Sequence, residues 1–215
     1  MFELGLGRPQ SLLCLGAHCD DIEIGAGATI LQLLARHPTL SVDWVVFSST
    51  PERAREARAS AEEFLGGAAH AAVEVHTFGD GFFPDEFAAL KRTFEQLRTK
   101  VQPDLVLTHY RDDRHQDHRV ISDLTWNTFR DHLVIEYEVP KYDGDLGHPN
   151  CFVPVEDAAR VAKVEALLRH YGSQSSKHWF TADTFNALMR IRGLECRSST
   201  GFAEAFHARK FIVSR

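Results

Sequence analysis

The sequence predicts an α/β fold: a single domain with a mostly parallel sheet and helices on both faces. Short apolar runs of strand length alternate with longer segments of helical periodicity along most of the chain. A strand, a helix and a second strand in that order form a right-handed crossover, which leaves the two strands parallel. The 215 residues suffice for one domain with a substantial core, and they contain no repeat, low-complexity segment or domain linker.

The first part of the chain holds five predicted strands and four predicted helices. The strands cover residues 11–17, 41–48, 72–78, 104–108 and 132–138, and the helices cover residues 25–36, 51–65, 85–100 and 119–130. Proline and glycine mark several helix ends. Pro38 follows the end of the first helix, Pro51 begins the second, and the pair Gly66-Gly67 ends it.

The second part of the chain is less regular. Residues 139–150 form a loop rich in glycine, proline and aspartate, which is long enough to act as a lid or a binding loop. Helices are expected over residues 155–170 and 181–192, with a polar break at 172–176. A closing strand is expected over residues 203–213.

Composition and charge argue against several classes of protein. The chain carries a net charge of −6, whereas nucleic acids and anionic membranes favour basic patches, so we expect neither as a partner. No apolar run approaches the roughly 20 residues of a membrane span, and the first residues lack the pattern of a signal peptide. The four cysteines form no CxxC pair, which is typical of reduced thiols. We therefore expect a cytoplasmic protein with no membrane span.

A histidine and two aspartates follow the first predicted strand, in the stretch His18-Cys19-Asp20-Asp21. Open α/β sheets bind ligands at the carboxyl ends of their strands. His18 and Asp21 can bind one metal ion from a tight turn, which leaves Asp20 free as a base for water, as a metal-dependent hydrolase requires. Taken alone, the aspartates are equally typical of a helix N-terminus, and the histidine of a buried, hydrogen-bonded side chain.

A second cluster follows the fourth predicted strand, at the same edge of a parallel sheet. Its members are His109, Asp112, Asp113, His115, Asp117 and His118. One of His115 and His118 can complete the metal site, and the other can face the substrate. Two histidines, one carboxylate and an open position form a catalytic zinc set, and bound zinc lowers the pKa of its water to about 7. Asp20 is then placed to accept that proton. The other three residues before His115 are expected to hydrogen-bond within the loop or to solvent.

These clusters resemble the signatures of the LmbE/PIG-L-like N-deacetylases. The first signature, Ala-His-Pro-Asp-Asp-x-Glu before a glycine pair, corresponds to Ala17–Glu23 and then Gly27-Ala28. The second, His-x-Asp-His, corresponds to His115–His118. Weaker similarities lie at Ser173-Gln174 and at Glu204 with Phe206. The resemblance runs from the first strand to the C-terminus, and it implies a Rossmann-like fold and zinc-dependent removal of acetyl groups from N-acetylated sugars.

The resemblance also implies roles for individual residues. It implies a zinc site with three protein ligands, His18, Asp21 and His118. It implies Asp20 as the general base, and His115 as the acid and oxyanion partner, oriented by Asp117. Zn²⁺ is the implied cofactor, and Fe²⁺ or Co²⁺ can share the same ligands.

The chain departs from the family signatures at two positions. Cys19 replaces a proline, which loosens the turn, and Ala28 replaces a glycine, which matters only if the backbone there needs a positive φ. Cys19 as a fourth ligand would close the position that a hydrolase keeps open. Glu23 is expected to pack or hydrogen-bond beside the ligands rather than to react.

Substrate contacts are predicted from position alone. Arg53 and Arg55 follow the second strand, whose end faces the site, and either can reach a phosphate or a sugar hydroxyl. The alternative for both is a solvated helix face. Tyr142 lies in the long loop, where it can stack on a sugar or anchor the loop.

We predict hydrolysis of the acetamide of an N-acetylated sugar, which is free, nucleotide-linked or lipid-linked, with release of acetate. One alternative is a zinc amidase with a non-sugar N-acyl substrate. A second is a two-metal phosphoesterase, which needs more bridging carboxylates than the motifs supply. A third, a nucleotide-binding regulator, needs a further glycine after the first strand. The oligomeric state is left open, with a homo-oligomer as one outcome.

Overall fold

The computed structural model describes residue 5, residues 7–210 and residue 212. In this part of the chain seven strands form one sheet: β1 Ser11–Gly16, β2 Ser41–Val46, β3 His70–Val75, β4 Leu105–His109, β5 Leu133–Tyr137, β6 Cys151–Pro154 and β7 Ala203–Ala208. Their order across the sheet is β3-β2-β1-β4-β5-β7-β6. Strands β1 to β5 are parallel, whereas β7 runs antiparallel to both β5 and β6. The predicted α/β fold class is therefore confirmed.

Six α-helices cover the two faces of the sheet: α1 Asp21–Arg36, α2 Pro51–Phe64, α3 Phe87–Lys100, α4 Gln116–Thr128, α5 Asp157–His170 and α6 Ala182–Glu195. Alternate residues of β1 point to opposite faces, as the pleat of a strand requires. Leu12 and Cys14 join the core beneath α1, α2, α5 and α6, and Leu13 and Leu15 join the core beneath α3 and α4. No helix in the described residues has the length and apolarity to cross a membrane.

The structure differs from the expected elements in the start of α1, in an additional strand β6 and in the end of β7. Helix α1 begins at Asp21 rather than at residue 25, because acidic residues are stable in a first helical turn. Strand β6 lies just after the long loop and was not expected, since a four-residue edge strand leaves little periodicity. Strand β7 ends at residue 208 and not at 213, with residues 211 and 213 outside the described part of the chain.

The strand order places a crevice between the ends of β1 and β4. From β1 the chain continues to β2 and β3 on one side of the sheet, and β4 and β5 lie on the other side. Such a switch point is where open α/β sheets bind ligands, because the adjoining loops turn away in opposite directions. The stretch 18–21 leaves β1 here, and the stretch 110–118 leaves the neighbouring β4.

Candidate active site

Three side chains from the two loops face one another at this crevice. The edges of the triangle formed by His18 Nδ1, Asp21 Oδ2 and His118 Nε2 measure 3.3 Å (His18–Asp21), 3.5 Å (Asp21–His118) and 3.2 Å (His18–His118). We call these three atoms the ligand triangle. The Asp21 and His118 side chains are almost fully buried, and His18 is the member nearest solvent.

The ligand triangle has the dimensions of a zinc site. Nitrogen and oxygen ligands about 2.1 Å from a tetrahedral zinc ion lie about 3.4 Å from one another. All three measured edges are within about 0.2 Å of that value. Three ligands leave the fourth corner of such a tetrahedron for water or substrate, so the residues present could hold a catalytic ion.

Each histidine of the ligand triangle has a carboxylate at its other ring nitrogen. His118 Nδ1 lies 2.9 Å from Asp113 Oδ2, and His18 Nε2 lies 3.3 Å from Asp117 Oδ2 and 3.2 Å from Asp80 Oδ1. Metal-binding histidines commonly donate their second N–H to a carboxylate, which fixes the tautomer and the ring orientation. The sequence had indicated only a loop role for Asp113, and it gave no sign of Asp80, which comes from the loop after β3.

Asp113 is itself held by a lysine of the long loop. Lys141 Nζ lies 2.8 Å from Asp113 Oδ2 and 2.7 Å from Asp145 Oδ2. Burial opposes ionisation of Asp113, but its contacts with His118 and Lys141 lower its pKa below the usual range. The contact therefore ties the 139–150 loop to the carboxylate behind His118.

Three neighbouring histidines set the charge of Asp21. Burial alone would raise its pKa, but His118, His109 and His18 together hold the pKa of Asp21 well below its usual range. Burial and the nearby His109 lower the pKa of His118 to about 4. His118 is therefore neutral at neutral pH, with a nitrogen lone pair, and Asp21 is ionised.

His109 lies behind the ligand triangle and was expected only to serve the loop. Its Nε2 accepts a hydrogen bond from the Ala17 N–H at 2.9 Å and lies 3.3 Å from Asp21 Oδ2. The ring stacks on His118 with the ring centroids 4.0 Å apart. His109 is fully buried and packs between the two strand ends, so it supports both loops from within the core.

Asp20 is paired with an arginine. Its Oδ1 accepts a hydrogen bond from Arg53 Nη2 at 2.7 Å, and both side chains are largely buried. Burial raises the pKa of Asp20 even though the Arg53 guanidinium favours the carboxylate. Arg53, expected as a substrate contact, thus lies against the aspartate next to the ligand triangle. Its backbone N–H is capped by Thr50 at the start of α2, which fixes where the side chain begins.

His115 caps the start of α4. Its Nδ1 accepts a hydrogen bond from the backbone N–H of Asp117 at 3.3 Å, which leaves Nε2 available. Burial and the neighbouring His18 lower the pKa of His115. The Asp117 carboxylate contacts His18 and accepts N–H groups of Gly81 (2.6 Å) and Phe83 (3.2 Å). The contact between Asp117 and His115 therefore runs through the backbone and not through the carboxylate.

The other two expected substrate contacts make their hydrogen bonds outside the ligand triangle. Arg55 is exposed, and its guanidinium donates to the Pro51 carbonyl one turn earlier in α2. Tyr142 is 69% exposed, and its hydroxyl lies 3.4 Å from His178 Nδ1. Both side chains are accessible to a ligand from solvent.

The two departures from the family signatures leave the ligand triangle intact. The Cys19 thiol donates to the Ser48 carbonyl at 3.4 Å within the core, and burial raises its pKa to about 12. This thiol is occupied elsewhere and stays protonated. Ala28 lies within α1 and is not among the described residues with positive φ, so its backbone does not need glycine.

Comparison with known families and structures was made on the sequence and on the fold. The sequence profile of the PIG-L family, described as GlcNAc-PI de-N-acetylase, matches residues 13–129. That range contains every member of the ligand triangle, together with Asp20 and His115. No curated protein sequence matches the chain.

Three solved structures with the same fold illustrate its range. The N,N'-diacetylchitobiose deacetylase of Pyrococcus horikoshii has a TM-score of 0.70 at 17% identity, over 94% of this chain and 84% of that one. The 4-carboxy-2-hydroxymuconate hydratase of Pseudomonas putida has a TM-score of 0.75 at 19% identity, over 96% and 98%. The zinc-inhibited form of teicoplanin deacetylase has a TM-score of 0.71 at 17% identity, over 92% and 97%. Similarity at this level of identity shows the fold alone.

Proposed function

Because the chain belongs to the PIG-L family, whose profile covers more than half of it, we propose that it is a metal-dependent N-deacetylase. The proposed reaction is hydrolysis of the acetamide of an N-acetylated sugar or sugar conjugate, which releases acetate and an amine. The observation that carries the proposal is the ligand triangle, whose edges have the lengths of a tetrahedral site, with Asp20 next to Asp21 in the chain but outside the triangle.

His18, Asp21 and His118 would hold the ion. Zn²⁺ suits two imidazoles and one carboxylate, and Fe²⁺ or Co²⁺ can take the same set. When bound, the ion would supply a Lewis acid for the acetyl carbonyl and lower the pKa of water at the site. Asp113 and Asp117 would keep the two rings oriented for it.

Asp20 is the proposed general base. Its carboxylate would accept a proton from the attacking water, and the Arg53 guanidinium at 2.7 Å favours the ionised form that this step needs. Arg53 thus acts in the proposal through Asp20, in place of the substrate contact expected from its position in the sequence.

His115 is the proposed acid. In the neutral ring Nδ1 accepts the Asp117 backbone N–H, so the hydrogen lies on Nε2, where it would hydrogen-bond to the oxyanion. His115 would protonate the departing amine as the imidazolium, which has an N–H at both ring nitrogens and returns to the neutral ring when it gives one proton up. A lowered pKa makes protonated His115 a stronger acid toward that amine. Asp117 would act on the metal-facing His18 with its carboxylate and on His115 with its backbone.

The substrate is proposed to be a small N-acetylated sugar, alone or linked to a nucleotide or lipid. The family is described as GlcNAc-PI de-N-acetylase, and two of the structural neighbours are named as an N,N'-diacetylchitobiose deacetylase and a teicoplanin deacetylase. Arg55 and Tyr142 are exposed and make their hydrogen bonds outside the ligand triangle, so we assign them to a group linked to the sugar and not to the sugar itself. Contact with such a group is the role proposed for them.

The test is an acetate-release screen over N-acetylglucosamine, N,N'-diacetylchitobiose, UDP-N-acetylglucosamine and GlcNAc-PI, with and without a chelator. We expect chelator-sensitive acetate release, which Asp20→Ala abolishes while one metal ion per chain stays bound. His118→Ala should lose the ion. Turnover in Asp20→Ala near the wild-type rate, or stoichiometric metal in His118→Ala, would contradict the assigned roles.

Three rival activities would give different results. A phosphoesterase would release phosphate and bind two ions per chain, which elemental analysis counts. A zinc amidase with a non-sugar substrate would release acid from N-acyl amino compounds and leave the sugars untouched. A hydratase, the activity of one structural neighbour, would release no acid at all.

A further inference from the structure

A buried ion pair lies against the middle of α1, outside the ligand triangle. Lys163 of α5 and Glu204 of β7 are both almost fully buried, and Lys163 Nζ lies 2.6 Å from Glu204 Oε1. Neither residue contacts the crevice in which the reaction is proposed to occur. A buried pair of this kind is weak support for stability, because the cost of desolvating two charges offsets their attraction.

The pair binds backbone groups of α1 that a regular helix uses for its own hydrogen bonds. The N–H groups of Ala28 and Thr29 donate to the two carboxylate oxygens of Glu204, at 3.0 Å and 2.7 Å. Lys163 donates to the carbonyl of Ile24 at 2.6 Å. In an uninterrupted α-helix these two N–H groups would bind carbonyl oxygens four residues earlier, at residues 24 and 25. Side chains that insert into a helix in this way allow it to bend at that point.

These contacts lie directly after the first turn of α1, which carries Asp20 and Asp21. The N–H of Ile24 donates to the carbonyl of Asp20 at 3.0 Å, which closes the first turn of α1 around Asp20 and Asp21. The carbonyl at the far end of that turn is the one that Lys163 binds. The ion pair therefore contacts α1 at the end of its first turn, through Ile24, and one turn further on, through Ala28 and Thr29.

We propose that Lys163 and Glu204 are positioning residues, which set the direction of the first turn of α1 and thereby place Asp21 in the ligand triangle. This inference rests on the proposed metal site. Without the pair, the N–H groups of Ala28 and Thr29 have only the carbonyls of residues 24 and 25 as partners, and no contact ties this part of α1 to Lys163 of α5 and Glu204 of β7. The first turn of α1 is then free to change its direction relative to the sheet. Asp21 moves away from His18 and His118, and the geometry for a metal ion is lost while the fold persists.

The test is the double variant Lys163→Met/Glu204→Met, which removes both charges and keeps the size of the side chains. The readouts are the affinity for Zn²⁺ by chelator competition, the visible absorption of the Co²⁺-loaded protein, and thermal unfolding of the metal-free protein. We expect an unfolding temperature no lower than that of the wild type, because burying apolar side chains in place of an ion pair is often neutral or stabilising. We expect Zn²⁺ affinity to fall by about 10- to 100-fold, as for other residues that support metal ligands, and the Co²⁺ absorption typical of a tetrahedral site to weaken.

The matched control is Arg36→Met/Glu156→Met. This pair also joins α1 to the start of α5, with Arg36 Nη2 2.9 Å from Glu156 Oε1, but both side chains are more than half exposed. The control should leave Zn²⁺ affinity and the Co²⁺ spectrum unchanged. If the double variant fails to fold, Glu204→Gln serves instead, since it keeps one acceptor oxygen and the side-chain shape, and its affinity should fall by less.

The outcomes separate this inference from the proposed function. A folded double variant, or a folded Glu204→Gln protein, with wild-type Zn²⁺ affinity and Co²⁺ spectrum would overturn the positioning role. A wild-type protein that binds no Zn²⁺ would overturn the metal site, and this inference with it. A wild-type protein that binds Zn²⁺ but releases no acetate would overturn the proposed reaction, and the loss of affinity in the variants would still support the positioning role.

Discussion

Replacing Glu23 by glutamine should change the pH dependence of stability. Glu23 is fully buried two residues after Asp21, its Oε1 accepts the Ser60 hydroxyl at 2.6 Å, and its Oε2 has no partner. The Tyr171 hydroxyl lies between Glu23 Oε1 and the Cys19 carbonyl. A hydroxyl has one proton and a carbonyl can only accept, so both contacts are hydrogen bonds only if Glu23 carries a proton and donates it to Tyr171.

The expected magnitude follows from the pKa of Glu23. Burial raises it from 4.5 to about 8, although the polar contacts with Ser60 and Tyr171 favour the ionised form. Each pKa unit corresponds to 1.36 kcal/mol, so a difference of about 3.5 units amounts to about 5 kcal/mol. The folded state binds the proton more tightly than the unfolded state. The stability that protonated Glu23 contributes is therefore complete below pH 4.5 and is lost as the pH rises through about 8.

The assay is chemical denaturation of the chelator-treated wild type and Glu23→Gln proteins between pH 5 and pH 9. Glutamine mimics the protonated acid, so the two proteins should differ little at pH 5, and the variant should be the more stable by a few kcal/mol at pH 9. Glu62→Gln, on the exposed side of α2, is the control and should show no such trend. A Glu23→Gln difference that is constant over this range would refute the protonated state.

Three further predictions concern the site and the helix that carries it. Arg53→Met removes the cation that favours ionised Asp20, so the acid limb of the kcat/KM profile should move to higher pH; an unmoved limb would contradict the assignment of Asp20 as the base. Asp113→Asn weakens the acceptor behind His118, so Zn²⁺ affinity in a chelator competition should fall by about 10- to 100-fold; unchanged affinity would exclude this support. Gly25→Ala places a methyl group 2.1 Å from a tyrosine ring of β5, so denaturation should show a loss of about 1–3 kcal/mol, and a neutral result would show that α1 can shift there.

The sequence predicts the fold well where its patterns repeat. The alternation of strand and helix indicates the five parallel strands, because buried strands and amphipathic helices each have their own period. It does not indicate that β7 inserts between β5 and β6, since antiparallel pairing at a sheet edge depends on contacts far apart in the chain. The start of α1 was expected too late, because Gly25 and Gly27 resemble a turn. In the structure they allow the helix to pack against Tyr137 and Phe64.

Part of the candidate site could be expected from two short motifs, and part could not. The two motifs indicate His18, Asp21 and one of His115 and His118, and the family resemblance selects His118. The structure brings these three residues together. The Asp80 carboxylate reaches His18 from the loop after β3, and the Asp113 carboxylate reaches His118 from within the 110–118 stretch. The sequence did not indicate either contact. Interactions between distant residues depend on the folded chain, so a sequence motif identifies the ligands of a site more readily than it identifies what supports them.

The ligand triangle is tested most directly by a crystal structure of the zinc-loaded protein, with the ion located by its anomalous scattering. The predicted result is one ion about 2.0–2.2 Å from His18 Nδ1, Asp21 Oδ2 and His118 Nε2, with Asp20 unligated. An ion bound instead between Asp80, His115 and Asp117, whose donor atoms also lie close together, or no ion at the crevice, would contradict the proposed centre and the deacetylase chemistry derived from it.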